Sequence, residues 1–127
     1  MHRSAMGAIS IDVPSSHIEA SKAFWRAALT RTSRTGTTHP EFEPLEGRFS
    51  NLEGFLQDVG TTAPRVHLDI HTDDLEAEVA RLVGLGASEV ARHGAWVVLS
   101  DPAGMAFCVC PVAPDDPVLD GAPTYGE

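Results

Sequence analysis

Residues 65–86 read RVHLDIHTDDLEAEVARLVGLG, a stretch that predicts a strand followed directly by a helix. In its first part, apolar and polar side chains alternate, which is the pattern of a strand with one buried face. The apolar face, which we expect to pack against the following helix, carries Val66, Leu68 and Ile70. The polar face carries His67, Asp69 and His71. Two imidazoles and a carboxylate on one strand face make this the most chemically informative part of the chain.

Signals for a helix follow the strand immediately. Asp73 opens the helix, and Glu76 stands three residues later in the spacing of a capping box. Apolar residues then recur at helical spacing, at Leu75, Val79 and Leu82. Gly86 is suited to end the helix, because glycine adopts the left-handed conformation of a C-terminal cap without strain. The spacing predicts a helix over residues 73–85.

The same strand–helix pattern occurs earlier, at residues 8–20. An ungapped offset of 57 gives three identities: Asp12 with Asp69, Glu19 with Glu76, and Ala20 with Ala77. Five further positions are like-for-like, and both predicted helices begin with a Ser or Asp cap followed three residues later by Glu. Similarity at so many of thirteen aligned positions favours an internal duplication over two unrelated strand–helix units.

Length and composition predict a single globular domain, with 127 residues, 43% of them hydrophobic and 21% charged. The net charge of −9 argues against nucleic acid and anionic membranes, and is compatible with neutral or cationic small ligands. Cys108 and Cys110 are too few and too close for a disulfide framework. With no signal peptide and no apolar run approaching about 18 residues, we expect a cytoplasmic protein.

The rest of the chain divides into short elements. A helix capped by Ser16 is expected over residues 17–29, and a loop over residues 30–40. Strands are expected at residues 8–13, 42–46, 52–59, 87–92, 95–100 and 105–110. His93-Gly94 predicts a hairpin turn, and residues 101–104 predict a type I turn. Residues 1–7 are expected to be loose, and residues 112–127, rich in Pro, Asp and Gly, to form a flexible tail.

The second half therefore reads strand–helix–strand–strand–strand, and the chain resembles the vicinal oxygen chelate superfamily of glyoxalase I, extradiol dioxygenases and bleomycin-binding proteins. The resemblance covers residues 8–111 and rests on RVHLDIHTDDLEAEVARL (65–82), WVVLSDPAG (96–104) and FCV (107–109). It implies an α+β fold of tandem βαβββ modules, about 8–60 and 65–111, whose cupped, mostly antiparallel half-barrel sheet holds a ligand. Members of this superfamily commonly pair, so the resemblance also implies a homodimer.

Metal-binding members take one ligand from the first and one from the last strand of each module. The matching positions here, which we call the family metal positions, are Ser10, Gln57 (or Leu56), His67 and Cys108. His67 is the usual kind of ligand among them, and Cys108 could serve only if deprotonated. We therefore expect no cofactor and no stoichiometric transition metal, with a divalent ion bound through His67 as the alternative.

A shifted metal site is offered by two residues that share the face of His67, namely Asp69 and His71. However, His67 and His71 lie about 13 Å apart at roughly 3.3 Å per strand residue, too far to meet on one ion. Polar residues that line a ligand-binding cup are the favoured interpretation of this face.

Two functions are predicted. In the first, the protein binds a small organic molecule without chemistry, through Ser10, Gln57, His67, His71, Trp96 and Cys108. In the second, it is a lyase, isomerase or dioxygenase, metal-dependent or metal-free, with His67, Asp69 or Asp12 as base, or with Cys108 beside His67. Asp12 and Asp69 occupy equivalent positions, and two adjacent carboxylates can raise one pKa. The alternative is that each accepts hydrogen bonds at the join between modules.

Overall fold

The computed structural model describes residues 1–28, 42–49 and 52–126, so the predicted loop at residues 30–40 lies outside the described residues. The chain divides into two compact units. We call Ala8–His67 the first-module unit, and Met1–Gly7 together with Leu68–Glu127 the second-module unit. Among the described residues, no helix is long and apolar enough to cross a membrane.

The described chain contains two α-helices and eight strands and is a mixed α+β fold. The first elements are β1 (His2–Val13), a 3-10 turn (Ser15–His17), α1 (Ile18–Ala28), β2 (Phe42–Phe49) and β3 (Leu52–Asp58). Then come β4 (Arg65–Thr72), α2 (Leu75–Gly84), β5 (Ser88–His93), β6 (Trp96–Ser100), β7 (Ala106–Pro111), a 3-10 turn (Pro117–Leu119) and β8 (Thr124–Tyr125). The predicted strand–helix–strand–strand–strand order of the second module is confirmed.

Within the first-module unit, β3 lies between β2 and β1. It runs antiparallel to β2 and parallel to β1. The β1–β3 register places Asp12 opposite Gln57 and Ile11 opposite Leu56. Leu56 is fully buried and Gln57 half-buried. Because register partners point to the same side of a sheet, Gln57 rather than Leu56 shares the face of Asp12.

Within the second-module unit, the strand order is β4–β7–β6–β5. β4 and β7 are parallel, and the other two pairs are antiparallel. The β4–β7 register places Asp69 opposite Cys108. Asp69 is also the residue that aligns with Asp12 in the internal repeat. Each unit therefore joins the first strand of its module to the last in the same parallel arrangement, as a duplication requires.

The core of the second-module unit lies between α2 and one face of its strands. It consists of Val79, Val97, Leu99, Phe107 and Val109, with Ile70, Leu75 and Leu82 packed against them. Ile70 therefore faces α2, as predicted. The same prediction is wrong for Val66, which is 57% exposed. The reason is that β4 belongs to the unit that contains α2 only from Leu68 onward.

Both ends of the chain differ from the predicted loose segments. β1 begins at His2 instead of at residue 8, and both His2 and Ser4 are buried. β8 pairs with β1, placing Tyr125 opposite His2. Leu119 is fully buried, so residues 112–126 are held to the second-module unit by an apolar anchor and a strand pair. The sequence prediction failed because the partners of these end segments lie far away along the chain.

The predicted helix caps are partly wrong. The N-cap of α2 is Asp74, whose carboxylate accepts a hydrogen bond from the Ala77 N–H. Asp73 instead accepts from the backbone N–H of Arg3 at 2.8 Å. Ser16 makes no cap, because the chain enters α1 through the 3-10 turn, where no side chain caps the helix. The predicted glycine at the C-terminal end of this helix is confirmed, since Gly86 follows α2 with a φ of 119°.

Candidate functional site

A fully buried carboxylate, Asp12, is the centre of the polar face of the first-module unit. Ser10, two residues earlier on β1, donates from Oγ to Asp12 Oδ1 at 2.8 Å. His67 Nδ1 lies 2.6 Å from Asp12 Oδ2. Arg65 donates from Nε to the same oxygen at 3.0 Å. The start of β4 is thus tied to β1 through one carboxylate, which joins three of the predicted site residues: Ser10, Asp12 and His67.

The charge of Asp12 follows from these contacts. Burial by itself raises the pKa of the carboxyl, since a buried anion loses its hydration. The hydrogen bonds from His67, Arg65 and Ser10 outweigh that effect, so the pKa lies below its ordinary value of 3.8. Asp12 is therefore ionised at neutral pH. It acts as a hydrogen-bond acceptor and lacks the raised pKa that a carboxylate base requires.

The contact with Asp12 determines what His67 can do. A nitrogen 2.6 Å from an ionised carboxylate carries the hydrogen, so Nδ1 donates and Nε2 bears the lone pair. The His67 side chain is only 7% exposed, which limits its rotation. An oriented imidazole with its lone pair on Nε2 can accept a hydrogen bond from a ligand or a proton from a substrate.

The family metal positions of the first-module unit do not fit a transition-metal ion. Ser10 is buried, and its hydroxyl hydrogen is donated to Asp12. Gln57, opposite Asp12 in the register, offers a neutral amide. A neutral hydroxyl and an amide are weak donors for Zn²⁺ or Fe²⁺, which prefer imidazole, thiolate and carboxylate ligands. The neighbouring strong anion, Asp12, is already engaged by three hydrogen-bond donors.

The second-module unit carries a separate polar surface, which we call the β4–β7 face. It comprises Asp69, His71, Cys108 and Cys110, all half-buried. These residues alternate with Ile70 and Val109, which pack in the core, so they project from the opposite side. The register pairs Asp69 with Cys108 and His71 with Cys110. By the same alternation Trp96 belongs to this side of β6, where its ring stacks on His93 at 5.3 Å.

Neither cysteine is in a disulfide. Burial raises the pKa of the Cys110 thiol far above its ordinary value, and the nearby Asp69 carboxylate and Cys108 raise it further. A thiol in this environment stays protonated at neutral pH, which argues against Cys110 as a nucleophile in the metal-free protein.

A pocket lies beside β1, in the first-module unit. This pocket has a volume of about 570 Å³. It is lined by Ile11, Val13, Pro14, His17, Ser21, Trp25, Pro64, Arg65 and Val66, together with Asp12. The Asp12 side chain itself is directed toward Ser10 and His67. The lining is mainly apolar, and the sequence did not predict this pocket.

Sequence reasoning also missed a buried ionic cluster on α2. Glu78 is fully buried, and its carboxylate accepts hydrogen bonds from Arg81 at 2.7 and 2.8 Å and from Ser4 at 2.8 Å. His2 Nε2 lies 2.8 Å from Oε1 of the same carboxylate. The guanidinium of Arg81 lies 3.7 Å from the centre of the Tyr125 ring. The sequence did contain a signal for this cluster, because Glu78 lies three residues after Leu75 and therefore on the buried face of the helix.

Comparison with known proteins identifies the family. A sequence profile of the glyoxalase-like domain matches residues 8–110, and the chain belongs to this family. The predicted resemblance to the vicinal oxygen chelate superfamily is thereby confirmed, and with it the α+β fold. No curated protein matches the sequence.

Solved structures agree with this fold. A hypothetical protein from Bacillus halodurans superposes with a TM-score of 0.63 at 13% identity, covering 98% of both chains. Methylmalonyl-CoA epimerase from Mycobacterium tuberculosis gives 0.63 at 16% identity, covering 86% of this chain and 88% of that one. A variant of Streptomyces coelicolor methylmalonyl-CoA epimerase in complex with 2-nitronate-propionyl-CoA gives a TM-score of 0.63 at 15% identity, covering 87% of this chain and 99% of that one. At these identities the likeness concerns the fold alone.

Proposed function

We propose that this glyoxalase-like domain binds a small organic molecule through His67, with no transition metal at the family metal positions. The observation that carries the proposal is the engagement of Asp12 by both Ser10 and His67. Ser10, which is one of the family metal positions, donates its hydroxyl hydrogen to a carboxylate. The contact with Asp12 also holds the imidazole of His67 in one orientation, with the Nε2 lone pair as an acceptor for a ligand N–H or O–H.

The charge of the protein indicates the class of ligand. With a net charge of −9, the protein attracts neutral or cationic molecules more readily than polyanions. Methylmalonyl-CoA epimerase is among the structural neighbours in complex with methylmalonyl-CoA, so coenzyme A esters are the natural comparison ligands. We expect aromatic or amine-bearing metabolites to bind more tightly than the negatively charged coenzyme A esters.

A thermal-shift screen tests the proposal, because any ligand that binds the native state raises Tm. The panel contains aromatic and polycyclic metabolites, amines, coenzyme A esters and divalent metals. A ligand identified with the wild type should lose its shift in His67→Gln and keep it in Glu19→Gln, because the Glu19 side chain is 83% exposed in the same unit and does not line the pocket. Elemental analysis of protein prepared without chelator completes the test. About one metal per chain that disappears in His67→Gln would overturn the proposal.

The Asp12–His67 contact also favours a second candidate, an enzyme that transfers a proton. In this reading His67 Nε2 is the general base, and the ionised Asp12 stabilises the imidazolium that forms. The substrate would carry a C–H bond acidified by a carbonyl, as in the acyl thioester bound by the neighbouring epimerase. Exchange of substrate hydrogen with deuterated water, abolished in His67→Gln, would establish this activity. If members of the panel bind but none exchanges hydrogen with deuterated water, the result supports the binding function and not the enzyme.

We further propose that the protein is a cytoplasmic homodimer. Two large apolar side chains of the first-module unit are prominently exposed, Phe24 at 61% and Val66 at 57%. A second copy of the chain would cover such side chains and the outer edges of the strands.

A further inference from the structure

Three side chains with metal-ligating atoms meet on the β4–β7 face of the second-module unit. Asp69 and His71 are two residues apart on β4, and the parallel register places Cys110 of β7 opposite His71. One ligand atom from each of the three lies within 4.8 Å of the others. This juxtaposition depends on the pairing of two strands that are far apart in the sequence.

We propose that Asp69, His71 and Cys110 form a site for one Zn²⁺ ion. A carboxylate oxygen, an imidazole nitrogen and a thiolate sulfur are all ordinary zinc ligands. Two ligand atoms on one tetrahedral zinc lie roughly 3.3–3.6 Å apart, given bond lengths of about 2.0–2.3 Å. Small side-chain rotations would close the cluster to that spacing. On binding, the Cys110 thiol releases its proton to solvent, and the fourth position stays open for water or a ligand atom.

Gly7 leaves room for the side chain of His71. A Cβ atom at Gly7 would lie 2.2 Å from His71 Nδ1 and 2.3 Å from its Cγ, closer than real atoms approach. The imidazole therefore occupies space that any other residue at position 7 would fill. Gly7 acts as a positioning residue, and its replacement would displace one ligand of the site without removing a ligand atom.

The proposed site differs from the family metal positions in both of its strands. His67 and Cys108 belong to the family set, whereas His71 and Cys110 stand four and two residues further along β4 and β7. The two sets therefore use different histidines and different thiols. Matched substitutions can separate them, because Cys108 and Cys110 lie on the same face of the same strand and are both half-buried.

The experiment uses untagged protein titrated with Zn²⁺ by calorimetry and with Co²⁺ by absorbance. We expect one ion per chain and, with cobalt, a charge-transfer band from the coordinated thiolate. Cys110→Ser and His71→Gln should each weaken Zn²⁺ binding by at least about tenfold, the lower end of what even outer-shell changes cost a metal site. Cys108→Ser and His93→Gln are the matched controls and should bind as the wild type does. Gly7→Ala should weaken binding while the cobalt band of the residual complex persists.

Three results would overturn the site: no Zn²⁺ binding by the wild type at micromolar concentration, full affinity in both Cys110→Ser and His71→Gln, or loss of binding in Cys108→Ser. Thermal melting of every variant shows that it is folded. The result of the metal titration does not depend on whether the protein binds an organic molecule. A metal lost in His67→Gln contradicts the proposed function, whereas a metal lost only in the His71 and Cys110 variants supports this site.

Discussion

Asp12 Oδ2 lies 2.6 Å from Nδ1 of His67, a residue 55 positions away in the sequence. The contact joins β1 to the start of β4 within the first-module unit. The same carboxylate contributes to the stability of that unit and orients the imidazole that we place in the ligand site. Substitution of Asp12 should therefore affect the fold and the binding function together.

Asp12→Ala should lower the free energy of unfolding by about 3 kcal/mol, since it removes a buried charged acceptor and leaves its hydrogen-bond donors without it. The half-exposed Arg65 contributes little to this loss, because solvent screens its charge. Urea denaturation measures the change. Asp115→Ala, at an exposed position of the C-terminal segment, is the control and should stay within about 0.5 kcal/mol. Equal effects of the two substitutions would contradict the role given to Asp12.

Glu78 should make the protein sensitive to acid. Burial raises the pKa of its carboxyl, but hydrogen bonds from Arg81, His2 and Ser4 outweigh this, so the pKa lies below its ordinary value of 4.5. A carboxylate with a depressed native pKa contributes its full stability above the unfolded-state pKa and loses it as the pH falls through the native pKa. The free energy of unfolding should therefore decline as the pH drops below 4.5.

Urea titrations between neutral and acidic pH measure this decline, and Glu78→Gln should flatten it. Glu19→Gln, whose side chain is 83% exposed, should keep the wild-type slope. A slope unchanged in Glu78→Gln would show that other carboxylates cause the acid sensitivity.

Leu119 should anchor the C-terminal segment. It is fully buried, so Leu119→Ala should lower the free energy of unfolding by about 3 kcal/mol through lost burial and the cavity that remains. Leu85→Ala is the same substitution at a position that is 70% exposed, and should change stability by less than about 0.5 kcal/mol. Denaturant titration compares the two. A Leu119→Ala variant as stable as the wild type would restore the prediction of a loose tail.

Light scattering at micromolar concentration should give the mass of a dimer, twice 13.5 kDa. Phe24→Ser should shift the population toward monomer, because it removes an exposed ring that we place in the interface. A wild-type mass of one chain across the micromolar range would refute the proposed homodimer.

The sequence by itself determined the strand–helix–strand–strand–strand order of the second module. Alternation in residues 65–72, helical spacing after them and the turn at residues 101–104 are local patterns, and the Gly104 N–H donates to the Asp101 carbonyl at 2.9 Å, as in a β-turn. The offset of 57 anticipated the equivalent places of Asp12 and Asp69 in the two parallel strand pairs. The strand, helix and turn patterns can be predicted because each depends on residues that are close together in the sequence.

Tertiary structure alone decided which side chains meet. The sequence singled out His67, Asp69 and His71, yet it could not predict that Asp12 would take the hydrogen bond of His67 or that Cys110 would lie opposite His71. The first and last strands of a module pair across about forty intervening residues, and their register is set by packing of the whole unit rather than by local preference. Buried polar residues such as Glu78 likewise need partners from distant segments, so their role emerges only when the chain has folded.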